Sequence, residues 1–155
     1  MTGPVLVGVP RDHHPTVPRR AADLAALLGA DLLCVAVDEG SVREPSGAVV
    51  PVDPDAGPEP GTGREGEAAV RAAVAAALDG SPVAWRLERT AGDPAAELAR
   101  LAAAHDAVLI VVGARRPGVR GWATHLVGGT VAGRLIHDQP RPVVVLPEAH
   151  AGDAS

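Results

Sequence analysis

The residues best suited to chemistry lie between Gly113 and Thr130, in the stretch GARRPGVRGWATHLVGGT. Glycines let a phosphate approach the backbone, the unpaired amides at a helix start point towards it, and the helix dipole favours its charge. Gly128, Gly129 and Thr130 stand where a helix begins, with Arg115, Arg116 and Arg120 close by to add charge. From Gly113 to His137 there are four Arg and no acid, in a chain of net charge −5. Two readings are open here: a site for a small anion, or a solvated loop whose glycines serve only turns.

Other reactive side chains are less well arranged. His13-His14 follows a strand end with no His-Glu-x-x-His spacing and no second Cys, and reads as a hydrated turn. His105 and His137 stand near helix ends, where capping accounts for them. None of the four Ser lies in Gly-x-Ser-x-Gly, so no hydrolase elbow is present. Cys34 is alone, within Leu32-Leu33-Cys34-Val35-Ala36-Val37, and reads as a small buried hydrophobe. Trp122 reads as closing a small satellite core or a dimer contact, with a lid over a ligand as the alternative.

The elements that must position these residues alternate strand and helix. Val5 to Val9 is a short apolar run ended by Pro10, a strand buried on both faces. Val17, Ala21, Leu24, Ala25 and Leu28 recur at helical spacing, with Thr16 as the cap and Gly29 as the stop. Leu32 to Val37 is the second strand. Between Asp38 and Gly63 the pattern dissolves into Pro, Gly and acids, which predicts a long mobile acidic loop over 38–63. Thr62 to Glu65 has capping-box spacing ahead of a helix carrying Val70, Ala73, Val74, Ala77 and Leu78. Val83 to Glu88 alternates apolar and polar, as a strand near an edge does. Asp93-Pro94 caps a third helix, and Ala107 to Val112, the most apolar strand, is expected at the centre. A helix from about Thr130 to His137 and a strand Val143 to Leu146 close the chain. Such alternation calls for one open, five-stranded parallel sheet with helices on both faces. Ligands bind such sheets beyond the carboxyl ends of the strands, where the strand order reverses.

Composition narrows the function. The 155 residues make one domain, 46% hydrophobic and 21% charged, with 30 Ala, 22 Val, two Trp and no Phe or Tyr. Aromatic platforms for single-stranded nucleic acid cannot be built, and an acidic chain is a poor phosphate-backbone binder, so no nucleic-acid partner is expected. All 14 basic residues are Arg, which excludes Schiff-base and P-loop lysines. No apolar run approaches the length needed to span a bilayer, so no membrane association and a cytoplasmic location are expected.

Val111-Val112-Gly113-Ala114-Arg115, Gly129-Thr130 and Arg141-Pro142-Val143-Val144-Val145 resemble the C-terminal half of the universal stress protein family. Gly92-Asp93-Pro94, the Ala/Leu helix after it and Asp106 before the next strand agree with that family. The likeness runs over 1–147 in order and length and is specific over roughly the last 65 residues, leaving 148–155 as a disordered tail. The resemblance implies an adenine-nucleotide α-hydrolase-like (Rossmann-like) fold and a homodimer through Val143, Val144, Val145 and Leu146. It implies a site for ATP, with Mg²⁺ accompanying it, made by Pro10, Asp12 and Val37 with Gly113, Arg115, Arg116, Gly118, Gly128, Gly129 and Thr130. Nucleotide-binding members carry Gly, two residues, Gly, about nine residues, then Gly and Ser or Thr. Here Arg116 stands at the second glycine, the loop is about three residues longer, and Pro10 replaces the acid after the first strand.

With no residue set for bond-breaking visible, the expected function is that of a non-enzymatic, dimeric stress-response protein with a degenerate adenine-nucleotide or phosphate site. Two alternatives stand beside it. One is an ATP-hydrolysing or phosphotransfer enzyme using the same loop, with Asp12 or Asp38 on Mg²⁺. The other is an interaction protein that binds no nucleotide and docks an acidic partner on its Arg loop.

Overall fold

The computed structural model describes residues 3–10, 15–38, 41–43, 45–46, 49–51, 63–114 and 130–147. In chain order these form β1 (Val5–Gly8), α1 (Thr16–Leu28), β2 (Leu32–Asp38), β3 (Ser41–Arg43), β4 (Val49–Pro51), α2 (Gly63–Ala77), β5 (Trp85–Ala91), α3 (Pro94–Ala104), β6 (Leu109–Gly113), α4 (Val131–Asp138) and β7 (Val143–Leu146). Their main sheet is five-stranded, in the order β5-β2-β1-β6-β7, and each neighbouring pair is parallel.

Every residue of β1 is buried, as expected of a strand with helices on both faces. Val5, Val7, Cys34, Leu87 and Val111 point to one core with Val17, Ala21, Ala25 and Val74 of α1 and α2. Leu6, Leu33, Val35 and Ile110 point to the other, with Leu98, Leu101 and Ala102 of α3 and Leu135 of α4. The chain thus builds outward from β1 through β2 to β5, returns to β6 on the other side, and changes the covered face as it does so. The small side chains of α1 are what let it lie close to the sheet, since Ala21 and Ala25 are both fully buried.

Local chemistry sets the ends of the elements. Gly29 adopts φ 65°, a left-handed turn that stops α1, and its N–H caps the Ala25 and Ala26 carbonyls. Asp93 Oδ2 accepts from the Ala96 amide at 2.9 Å, with Pro94 opening α3. A Cβ on Gly3 would stand 1.7 Å from the Asp106 carbonyl oxygen, so glycine is what lets the start of β1 pass the turn before β6.

Four expectations are corrected. Thr16 is the first helical residue of α1, and the cap position belongs to Pro15, whose φ of −61° already suits a helix and which offers no side-chain acceptor. The stretch 38–63 is not patternless: β2 runs to Asp38, and β3 and β4 pair antiparallel, with Val42 opposite Val50. β-branched residues outweigh the surrounding Pro and Gly there; 52–62, including the expected cap Thr62, lies outside the described residues. The strand expected over 83–88 starts at Trp85 and continues to Ala91, because β5 stays in register with β2 as far as Ala91 opposite Asp38. The central strand is β1; β6 lies one place to its side, and its apolarity reflects cover on both faces. The alternating strand does stand at an edge, as β5.

Cys34 is fully buried, and burial pushes its thiol up to about 12. The unfolded thiol loses its proton near 9.0, whereas the folded one keeps it to about 12. Its contribution to stability is therefore complete below that lower value and is lost as pH rises through the window, by about 1.4 kcal/mol per pH unit. Urea midpoints should fall more steeply with alkaline pH in the wild type than in Cys34→Ala; parallel curves would contradict this burial.

Candidate functional site

The strand order reverses between β1 and β6, so the crevice outside their carboxyl ends is where this topology admits a ligand. Val7 pairs with Val111 across this junction. Continuing that register brings Val9 level with Gly113, the last residue of β6. Pro10 lies two residues beyond the end of β1, after the Val9 amide has donated to the Val35 carbonyl, and has no N–H to continue the ladder. Val37 is the penultimate residue of β2, buried and paired with Thr90. Pro10, Val37 and Gly113 thus share the carboxyl end of the sheet. Ala114 continues that edge, its N–H donating to the Leu146 carbonyl at 2.7 Å.

Thr130 opens α4. Its extended backbone, φ −76° and ψ 159°, makes it the cap, and its Oγ1 accepts from the Gly133 amide at 3.0 Å. Its carbonyl accepts from the Arg134 amide at 3.0 Å. The Val131 and Ala132 amides have no hydrogen-bond partner among the described residues, so the helix start retains two donors for an incoming oxyanion. Asp12, Arg115, Arg116, Gly118, Gly128 and Gly129 lie outside the described residues, as do Arg120, Trp122 and the His13-His14 pair.

Two features of this end were not anticipated from sequence. Arg134 spends its charge internally: Nη1 donates to Asp93 Oδ1 at 2.5 Å, and this hydrogen bond holds the guanidinium pKa above its ordinary value. One carboxylate therefore caps α3 and grips the first turn of α4, fixing where the Thr130 cap stands. Beside it, Glu97 is buried against β5, accepting from Thr90 Oγ1 at 2.9 Å and from Arg100 Nε at 2.5 Å. A buried carboxylate needs such partners. The i,i+3 spacing of Glu97 and Arg100 hints at the pair, but its burial under β5 has no sequence signature. His105 is also corrected: its backbone caps α3, while its ring reaches Arg86 and Glu88 of the edge strand instead of helix carbonyls.

Among the described residues no group of three or more His, Cys, Asp or Glu side chains could hold a metal ion, and no helix is long and apolar enough to cross a membrane. The donors assembled here are backbone amides, which suit a phosphate.

The universal stress protein family model matches residues 1–147. The chain belongs to the universal stress protein family. Among solved structures, this universal stress protein is similar to one determined in complex with cAMP, at 18% identity and TM-score 0.64, covering 96% of this chain and 100% of that one. The universal stress protein from Archaeoglobus fulgidus in complex with dAMP is 18% identical at TM-score 0.59, covering 92% and 96%. A family member from Burkholderia pseudomallei is 22% identical at TM-score 0.57, covering 94% and 96%. At these identities the likeness shows the fold, that of an open parallel sheet of the adenine-nucleotide α-hydrolase type. Among curated proteins, none matches this chain.

Proposed function

We propose that this universal stress protein is a dimeric stress-response protein that binds an adenine nucleotide at the carboxyl end of its sheet and acts through binding, without breaking a bond. The observation that carries the proposal is the pair of amides at the start of α4 with no partner among the described residues, held at the carboxyl end of the sheet by the Thr130 cap and the Asp93–Arg134 contact. Two structural neighbours were solved with cAMP and dAMP, adenine nucleotides carrying one phosphate group, and this supports the same ligand class here. The α4 amides and Thr130 would meet the phosphate, with Gly113, Gly128 and Gly129 giving it room and Arg115 and Arg116 adding charge. Pro10, Asp12, Val37 and Gly118 would complete the crevice. Mg²⁺ would accompany a polyphosphate such as ATP, with Asp12 the nearest carboxylate in sequence to β1.

A dimer through β7 is supported by the state of that edge. β7 ends the main sheet, contains no charged residue, and leaves Val145 44% exposed, with Ile136 of α4 60% exposed. Unprotected apolar edges are rare unless another chain covers them.

The direct test of the ligand is a mass spectrum of small molecules released from freshly purified protein. The expected result is an adenine nucleotide at a substantial fraction of the protein concentration. Finding none, together with no binding of added nucleotide, would replace this proposal with an interaction protein that uses its Arg-rich loop on an acidic partner.

A further inference from the structure

At the opposite, amino end of the sheet lies a cleft of about 490 Å³, lined among others by Pro4, Asp31, Leu32, Trp85, Arg86 and His105. It is independent of the nucleotide crevice, being formed by the starts of β1, β2 and β5 and the end of α3.

Its charged groups are arranged in an unusual way. Arg86 Nη2 lies 2.9 Å from His105 Nδ1, and His105 Nε2 lies 3.0 Å from Glu88 Oε1. A guanidinium can only donate, so Nδ1 accepts and the ring's remaining N–H faces Glu88. Glu88 thereby orients His105, and His105 orients Arg86. Fixing an exposed arginine costs rotamer entropy, and this relay has already met that cost before any ligand arrives. One of the five guanidinium N–H donors is used; among the described residues no carboxylate lies within 4.0 Å of Arg86.

Asp31 supplies the opposite charge on the same wall. Its backbone is fixed, the carbonyl accepting from the Val5 amide at 2.8 Å, but its carboxylate has no partner among the described residues. Leu33 stands opposite Arg86 in the β2–β5 ladder, so Asp31, two residues earlier, is a diagonal neighbour of Arg86 on one face of the sheet. From strand rise and spacing their α-carbons are roughly 8 Å apart. α1 ends at Gly29 on the rim of the cleft, and the negative end of its dipole adds to the potential beside Asp31. The cleft therefore presents an oriented positive group and, a short distance away on the same face of the sheet, a negative group with no partner among the described residues.

We propose that this cleft binds a small dipolar molecule of the α-amino-acid type, with its carboxylate on Arg86 and its ammonium on Asp31. A simple anion would leave Asp31 repelling it, and a simple cation would leave Arg86 repelling it. A zwitterion satisfies both.

The test is calorimetric titration of the full chain with L-phenylalanine, N-acetyl-L-phenylalanine and 2-phenylethylamine, on the wild type, Arg86→Gln and Asp31→Asn. The two substituted side chains lie on the surface of the cleft, and unchanged circular dichroism and urea midpoints establish that the variants fold; Arg86→Met replaces Arg86→Gln if that variant does not. The expected result is saturable binding of L-phenylalanine, weakened about tenfold or more when either charge of the ligand is removed. Each variant should weaken L-phenylalanine similarly and lose discrimination at its own end only, so that Arg86→Gln no longer distinguishes L-phenylalanine from 2-phenylethylamine. No saturable binding in the millimolar range, equal binding of the N-acetyl compound by the wild type, or binding indifferent to both substitutions would each overturn the proposal.

Discussion

Replacing Val145 with Lys should convert the proposed dimer to a monomer, its mass in light scattering falling from twice 15.6 kDa to 15.6 kDa. A two-fold axis through the β7 edge places the same residue on both sides, so one substitution removes two apolar contacts and sets two ammonium groups near each other. Together these effects are worth about 3 kcal/mol, or about 100-fold in the dimer Kd. Val145 is the informative position because it is 44% exposed, whereas Val144 also packs against the core shared with α1 and α2. Val144→Lys should also dissociate the dimer, with an added loss of stability, while Val145→Lys should leave the urea midpoint of the monomer unchanged. An unchanged mass for Val145→Lys would refute an interface at this edge.

Replacing Leu33 with Ala should cost about 3 kcal/mol of unfolding free energy and lower Tm by roughly 6–12 °C. Leu33 is fully buried in the middle of the sheet, packed with Val35, Leu98 and Leu101. The core contains no Phe or Tyr to move into the space, so much of the cavity should persist. Leu27 is the control. It is 83% exposed on α1, and Leu27→Ala should change stability by less than about 0.5 kcal/mol. Equal effects at the two positions, measured by urea unfolding, would contradict the assignment of sheet face and register.

What could be read from the sequence divides by the range of the interaction. β1, α1, β2, α3 and β7 were visible because each is announced by its own residues: a continuous apolar run, a helical stripe, the Asp93-Pro94 cap and the Gly29 stop. The edge position of β5 followed from alternation alone. β3 and β4 were hidden because Val42, Val49 and Val50 are scattered among Pro, Gly and acids, and only their pairing makes them strands. Side-chain networks were hidden for a different reason. Arg134 and Asp93 are 41 residues apart, and His105 lies 19 from Arg86. No local pattern connects either pair until α3 and α4 have packed on one face of the sheet. At the candidate site, Gly113 and Thr130 stood out as a glycine at a strand end and a helix cap, yet the availability of the Val131 and Ala132 amides depends on which bonds the cap itself satisfies.

A nucleotide site in this loop is tested by calorimetric titration of ATP into the wild type, Arg116→Gly and Gly129→Val, repeated at two salt concentrations. Binding to the wild type should be saturable and should weaken with salt, as a charge-assisted phosphate contact must. Gly129→Val should weaken it about tenfold or more, because a branched side chain next to the Thr130 cap obstructs approach to the α4 amides. Arg116→Gly should shift the affinity in one direction or the other, upward if the side chain obstructs the phosphates and downward if it holds them. Equal binding by all three proteins, or binding by none, would contradict a nucleotide site in this loop.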